Sequence, residues 1–200
     1  MNFLTDLGKQ GSGGPDVGDV GVKILACNPV LESFGNSKTV RNDNSSRFGK
    51  YVLMYFALVG DTIYGARIKN YLLEKSRVIK VAEKERGYHV FYFMLRGMEE
   101  SELKALHLCN AAGKREKWET YNYIKTGGDL TEKHDVEGWI ELKETVDKLG
   151  FTKEQANAIW RCCAVVLLLG QIDYDKASFA KVEDNIPGKI KNEDVVKKIT

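Results

Sequence analysis

Asn42-Asp43-Asn44-Ser45-Ser46-Arg47-Phe48-Gly49-Lys50 runs directly into Tyr51-Val52-Leu53-Met54-Tyr55-Phe56-Ala57-Leu58-Val59, and the reading of that junction decides the fold. The second segment is almost wholly apolar and β-forming, the pattern of a strand buried on both faces. The first packs two amides, two hydroxyls and a guanidinium into residues 42–47. Polar groups at a strand edge of an α/β sheet are commonly where ligands sit. A serine hydroxyl is a neutral oxygen ligand suited to Mg²⁺. Asparagine amides donate to phosphate oxygens, and Arg47 brings a permanent charge for phosphate or carboxylate. The same residues also suit a polar turn whose Asn and Ser side chains bond their own backbone. Composition alone leaves both readings open.

Outward from the junction, Gly60-Asp61 separates the apolar run from Thr62-Ile63-Tyr64-Gly65-Ala66-Arg67-Ile68, which predicts an antiparallel hairpin. Upstream, Val22 to Phe34 predicts a short helix broken near Pro29. Before it, residues 8–21 carry six glycines and Pro15, the composition of a flexible surface loop. Asn2 to Leu7 reads as the last turns of a helix whose beginning is missing.

Downstream the chain is mostly helical. Tyr88, Phe91, Tyr92 and Leu95 recur at helical spacing up to Gly97, an aromatic stripe read as core. Trp139, Leu142, Val146 and Leu149 mark a helix from about Asp135 to Gly150. Thr152 and Gln155 form a capping box before Ala156 to Leu169, so apolar that it predicts burial on most sides. The tail from Lys176 to Thr200 reads as surface structure.

Composition bounds the function classes. Of 200 residues, 43% are hydrophobic and 29% charged, which excludes wholesale disorder. Lys and Arg total 30 against 28 Asp and Glu, so the net charge of +2 offers no strong field for nucleic acid. The uncharged apolar runs, Tyr51 to Val59 and Cys162 to Leu169, are too short for a transmembrane segment, and the first residues lack a signal-peptide pattern; the expected location is cytoplasmic. Cys27, Cys109, Cys162 and Cys163 form no CxxC pair and read as reduced core cysteines. His89 and His107 have no catalytic partner nearby in sequence, and Gly35 to Thr39 lacks the spacing of a phosphate loop.

The stretch from Val30 to Lys50 closely resembles the switch I region of the myosin motor head. Asn70 to Val78 and Glu85 to Tyr92 are similar to the family's next segments in order and spacing; Tyr121 to Ile124 and Val165 to Ile172 match more weakly. The resemblance implies an α/β fragment of the motor's P-loop NTPase fold: a hairpin from the central sheet, then a mainly α-helical upper subdomain, with residues 22–200 a partial motor domain. It implies ATP and Mg²⁺ as cofactors, ATP/ADP and the actin filament as partners, and the actin cytoskeleton as location. It implies that Asn42, Asn44, Ser45 and Ser46 bind nucleotide, with Ser46 the Mg²⁺ ligand. Ser45 would lie against the γ-phosphate and attacking water, and Arg47 would pair with a switch II glutamate, giving those two the catalytic roles. The family's phosphate loop and switch II fall outside these residues. The chain is therefore expected to be an interior slice that does not hydrolyse ATP alone; the alternative is a short non-catalytic interaction module or a non-functional truncated product.

Overall fold

The computed structural model describes residues 17–56, 63–175 and 189–199. Its first element, α1 (Val17–Gly35), corrects two expectations: it starts inside the glycine-rich stretch, and it continues through Pro29. Each interior glycine costs a helix about 1 kcal/mol and an interior proline about 3. Packing against the later helices offsets this, with Ile24 and Ser33 buried. Residues 2–7 and the first part of the loop, 8–16, lie outside the described residues.

Two short strands, β1 (Asn36–Ser37) and β2 (Ser45–Ser46), pair antiparallel with Asn36 opposite Ser46 and Ser37 opposite Ser45. Next come β3 (Gly49–Phe56) and β4 (Ile63–Tyr71), antiparallel as expected, with Gly49 opposite Tyr71 and Phe56 opposite Ile63. The Gly60-Asp61 turn lies outside the described residues. β3 is not buried on both faces: Tyr51, Tyr55 and Phe56 are exposed, as are Tyr64 and Tyr71 on β4. Among the described residues β4 is the only strand paired with β3, so half of an apolar strand faces outward.

The helical remainder holds the core. α2 (His89–Gly97) buries every residue from His89 to Leu95. Around it lie α3 (Glu100–Ala105), α4 (Glu132–Lys148) and α5 (Lys153–Leu169), with α6 (Glu193–Ile199) against α5. Caps define the starts: the Thr131 hydroxyl accepts from the His134 N–H, and Thr152 and Gln155 form the predicted reciprocal box. α4 begins earlier than its apolar spacing suggested because that cap lies upstream of the first buried residue, Asp135. Trp139 on α4 and Trp160 on α5 meet edge-to-face at 4.9 Å.

α5 is buried along one side rather than on most: Trp160, Cys163, Ala164, Leu167 and Leu168 are inside, while Cys162 and Leu169 are exposed. The cysteines therefore divide: Cys163 is core, Cys27 and Cys109 are half-buried, and Cys162 faces out. Burial pushes the Cys163 thiol up to about 12. Of the tail, only residues 189–199 are described, and there Val195 is buried. No helix among the described residues is long and apolar enough to cross a membrane.

A buried ion-pair knot joins the segment before α2, α2 itself and α4. Arg86 and Asp135 are both wholly buried, with Nη2 to Oδ2 at 2.8 Å, and Arg96 Nη1 reaches the same oxygen at 2.7 Å. The Arg86 guanidinium lies 3.6 Å from the Tyr92 ring centroid. Its Nε and Nη1 have no hydrogen-bond partner.

Candidate functional site

The loop carrying the polar cluster is rooted at both ends. At its start, α1 stops at Gly35, where a Cβ would meet the Phe48 ring at 2.3 Å; only glycine lets that ring lie against the backbone. Arg47 N–H donates to the Gly35 carbonyl at 2.8 Å, and Arg86 N–H donates to the Lys38 carbonyl at 3.0 Å. At its end, Glu74 N–H donates to the Arg47 carbonyl at 3.0 Å.

Between these roots the loop bonds itself. Asn42 Oδ1 accepts from Asn44 N–H at 2.8 Å, an Asx-turn. Thr39 Oγ donates to the Asn42 carbonyl and accepts from its N–H, both at 3.1 Å. Lys38 pairs with Asp43, and that hydrogen bond holds the exposed Asp43 carboxyl below its ordinary range. The polar-turn reading is thus realised at Asn42, whose side chain bonds the backbone of its own loop.

Asn44, itself exposed, reaches across to other elements. Its Nδ2 donates to Glu32 Oε2 at 3.0 Å, and its Oδ1 accepts from Asn36 Nδ2 at 3.0 Å. His89 Nε2 stands 3.2 Å from the same Oδ1. Burial, then the charges of Arg86 and His134, lower the His89 ring to about 4, so it is neutral at pH 7.

Ser46 is exposed, and its hydroxyl donates to the Phe48 carbonyl at 2.9 Å. Ser45 Oγ accepts from Arg47 Nη1 at 3.3 Å. Arg47 Nε donates to Glu74 Oε2 at 2.6 Å, and Arg77 Nε donates to that same oxygen at 2.9 Å. Partial burial raises the Glu74 carboxyl, and hydrogen bonds from Arg77 and Arg47 outweigh it, leaving the group ionised below its ordinary range. Arg77 in turn pairs with Glu85 at 3.0 Å.

Asn42, Ser45, Ser46 and Arg47 are thus gathered on one short loop, and Asn44 bonds that loop to α1, β1 and α2. Reading along the sequence missed Glu74, Glu32, Asn36 and His89. Glu74 lies 27 residues from Arg47. His89 is 45 residues from Asn44, beyond the reach of a search for nearby partners.

A hairpin, a polar loop rooted on a helix end and a helical bundle define an α/β piece of a larger fold. The family model for the myosin head (motor domain) matches residues 1–200, and the chain belongs to that family. It is 41% identical over 180 residues to myosin IE heavy chain of Dictyostelium discoideum, covering 89% of this chain and 17% of the relative. It is 41% identical over 179 residues to Myosin-1 of Saccharomyces cerevisiae, covering 88% and 9%. Unconventional myosin-XV of Homo sapiens is 43% identical over 157 residues, covering 78% and 4%. The chain therefore spans less than a fifth of the length of these relatives.

Proposed function

We propose that this chain supplies switch I and the adjoining upper subdomain of an actin-based motor that hydrolyses Mg-ATP. The observation that carries the reading is what the loop's own hydrogen bonds leave unspent. Asn44 ties the loop to α1 and α2, while Asn42, Ser45 and Ser46 each keep polar groups that no other described residue takes up. The Ser46 O–H donates its hydrogen bond to the Phe48 carbonyl, which leaves the oxygen's lone pairs for Mg²⁺. Asn42 has used its carbonyl oxygen internally, which leaves its NH₂ for a phosphate oxygen. Ser45 accepts from Arg47 and keeps its own O–H to donate toward the γ-phosphate or water. The residues present fit a Mg-nucleotide. When bound, that group supplies the anhydride to be cleaved and the charge that orders the loop.

Arg47 is the movable member. It shares Glu74 with Arg77, so Glu74 stays paired when Arg47 leaves for another carboxylate, such as that of switch II. Asn44 serves by holding the loop's back. The helices α2 to α5 form the upper-subdomain part of residues 22–200, and the actin filament and the actin cytoskeleton are the partner and location of the whole motor. The 200 residues contain no G-x-x-x-x-G-K-[ST] phosphate loop, so the chain alone does not turn over ATP.

The test is Mg-ATPase activity of the complete motor polypeptide carrying Ser46→Ala or Arg47→Ala. Ser46→Ala raises the Mg²⁺ concentration needed for half-maximal turnover. Arg47→Ala lowers turnover about 10- to 100-fold. Full activity of both variants at limiting Mg²⁺ would overturn the reading.

A further inference from the structure

Arg47, Glu74, Arg77 and Glu85 form a chain of charges at the end of the loop, and its links are unequal. Glu74 Oε2 receives two guanidinium groups at once, Arg47 Nε at 2.6 Å and Arg77 Nε at 2.9 Å, so two like charges crowd one oxygen. Arg77 has other anchors. Its Nη1 meets Glu85 Oε2 at 3.0 Å and donates to the Arg86 carbonyl at 3.1 Å, and its side chain is only 6% exposed. The Arg47 side chain is 28% exposed, and its one other bond among the described residues runs to Ser45 Oγ, on its own loop. Two of its five guanidinium N–H groups are thus engaged, and it meets Glu74 at a single point rather than as a two-bond fork.

This asymmetry decides which arginine yields. Withdrawing Arg77 would break a nearly buried set of bonds, whereas withdrawing Arg47 leaves Glu74 paired with Arg77 and strands no buried charge. Glu74 cannot follow a departing Arg47 side chain. Its N–H donates to the Arg47 carbonyl at 3.0 Å, and its own carbonyl accepts from the Tyr88 hydroxyl at 2.8 Å. The carboxylate is therefore a fixed post, and the Arg47 guanidinium can swing off it while the backbone of both residues stays in place.

We propose that Glu74 is a positioning residue that competes for Arg47: by holding the guanidinium back from the carboxylate it pairs with for cleavage, Glu74 sets what fraction of the nucleotide-loaded motor is ready to cleave. The inference rests on the role given to Arg47 above and adds a brake on that step. Its sign is distinctive, because removing a brake speeds the step, while damage to the site slows it.

Single turnovers of the complete motor polypeptide at saturating Mg-ATP, stopped by rapid quench, give the rate constant for cleavage, and the rate of ATP binding is measured alongside. Glu74→Gln is expected to raise the cleavage rate constant about threefold, the scale of a partly exposed ion pair, with ATP binding unchanged. In an Arg47→Ala background the same substitution is expected to change nothing, since no guanidinium remains to compete for. A purely structural role at the loop's root would persist in that background. Unchanged or slower cleavage by Glu74→Gln, loss of its ATP binding, or an equal effect with and without Arg47 overturns the proposal. Slow cleavage by Arg47→Ala beside an unresponsive Glu74→Gln removes this proposal alone, whereas parent-like cleavage by Arg47→Ala removes the reading beneath it as well.

Discussion

Lowering the pH from 7 to 5 removes about 2 kcal/mol of folding stability through His89 alone. The ring titrates at about 4 in the fold against an ordinary 6.5, chiefly because burial disfavours its charged form, with Arg86 and His134 adding repulsion. A base whose folded value is depressed is neutral in the native state and takes up a proton on unfolding. Its contribution is complete above about 6.5 and is lost as the pH falls toward 4. Over the whole window the loss is about 3 kcal/mol, and most of it falls between pH 7 and 5. Carboxylates titrate there too, so the measurement is a difference. Urea unfolding is followed by fluorescence of the buried Trp118, Trp139 and Trp160, for the parent and for His89→Phe, at both pH values. Phenylalanine keeps a flat ring beside Phe93 and cannot titrate. The parent should lose about 2 kcal/mol more than the variant between pH 7 and 5. Equal losses would refute the reasoning, because they would mean that His89 charges as readily inside the fold as outside it.

Two further expectations concern the core. Asp135→Asn leaves Arg86 buried with no carboxylate, and since its Nε and Nη1 are already unpartnered, the cost is about 3 to 5 kcal/mol. Thermal unfolding checks it, and a change under 1 kcal/mol would mean that Arg86 finds another acceptor. Gly97→Ala puts a Cβ 2.2 Å from Trp139 Cβ, so α4 must give way and stability falls by about 1 to 3 kcal/mol despite alanine's better helix propensity. A stabilised Gly97→Ala protein would show that the α2–α4 contact is slack.

What the sequence made legible divides by the range of the interactions concerned. Caps and stripes are local, so Thr152 with Gln155 and the Tyr88 to Leu95 stripe appear in the structure where spacing put them. The β3–β4 pairing is also nearly local, and it follows from two β-forming runs split by a turn pair. The course of α1 was not legible, because glycines and Pro29 read as breakers wherever tertiary packing is left out of the account. Burial of β3 was misread for the opposite reason. Its apolar residues report an environment, and the described residues supply only part of one. In the candidate site, Asn42 to Arg47 stood out because six polar side chains fall on adjacent positions. Their partners Glu74 and His89 come from other elements, and no short-range pattern announces them.

The distribution of those partners explains how such a loop can be both held and movable. Its roots are backbone hydrogen bonds into rigid neighbours: the Lys38 carbonyl accepts from Arg86, whose side chain is locked to the Asp135 carboxylate that Arg96 also holds, and the Arg47 carbonyl accepts from Glu74, which Arg77 braces. The middle is held by one backbone bond from Thr39 N–H to the Asn42 carbonyl, the Lys38–Asp43 pair and side-chain bonds from Thr39, Asn42 and Asn44, each hydrogen bond worth about 0.5 to 1.5 kcal/mol net. A ligand that favours a different arrangement of residues 39–46 by a few kcal/mol can therefore rearrange the middle without pulling the roots. The same arithmetic gives Asn44 its importance. It is the one loop side chain bonded to α1, β1 and α2 together, so changing what it meets at His89 changes the balance of the whole loop.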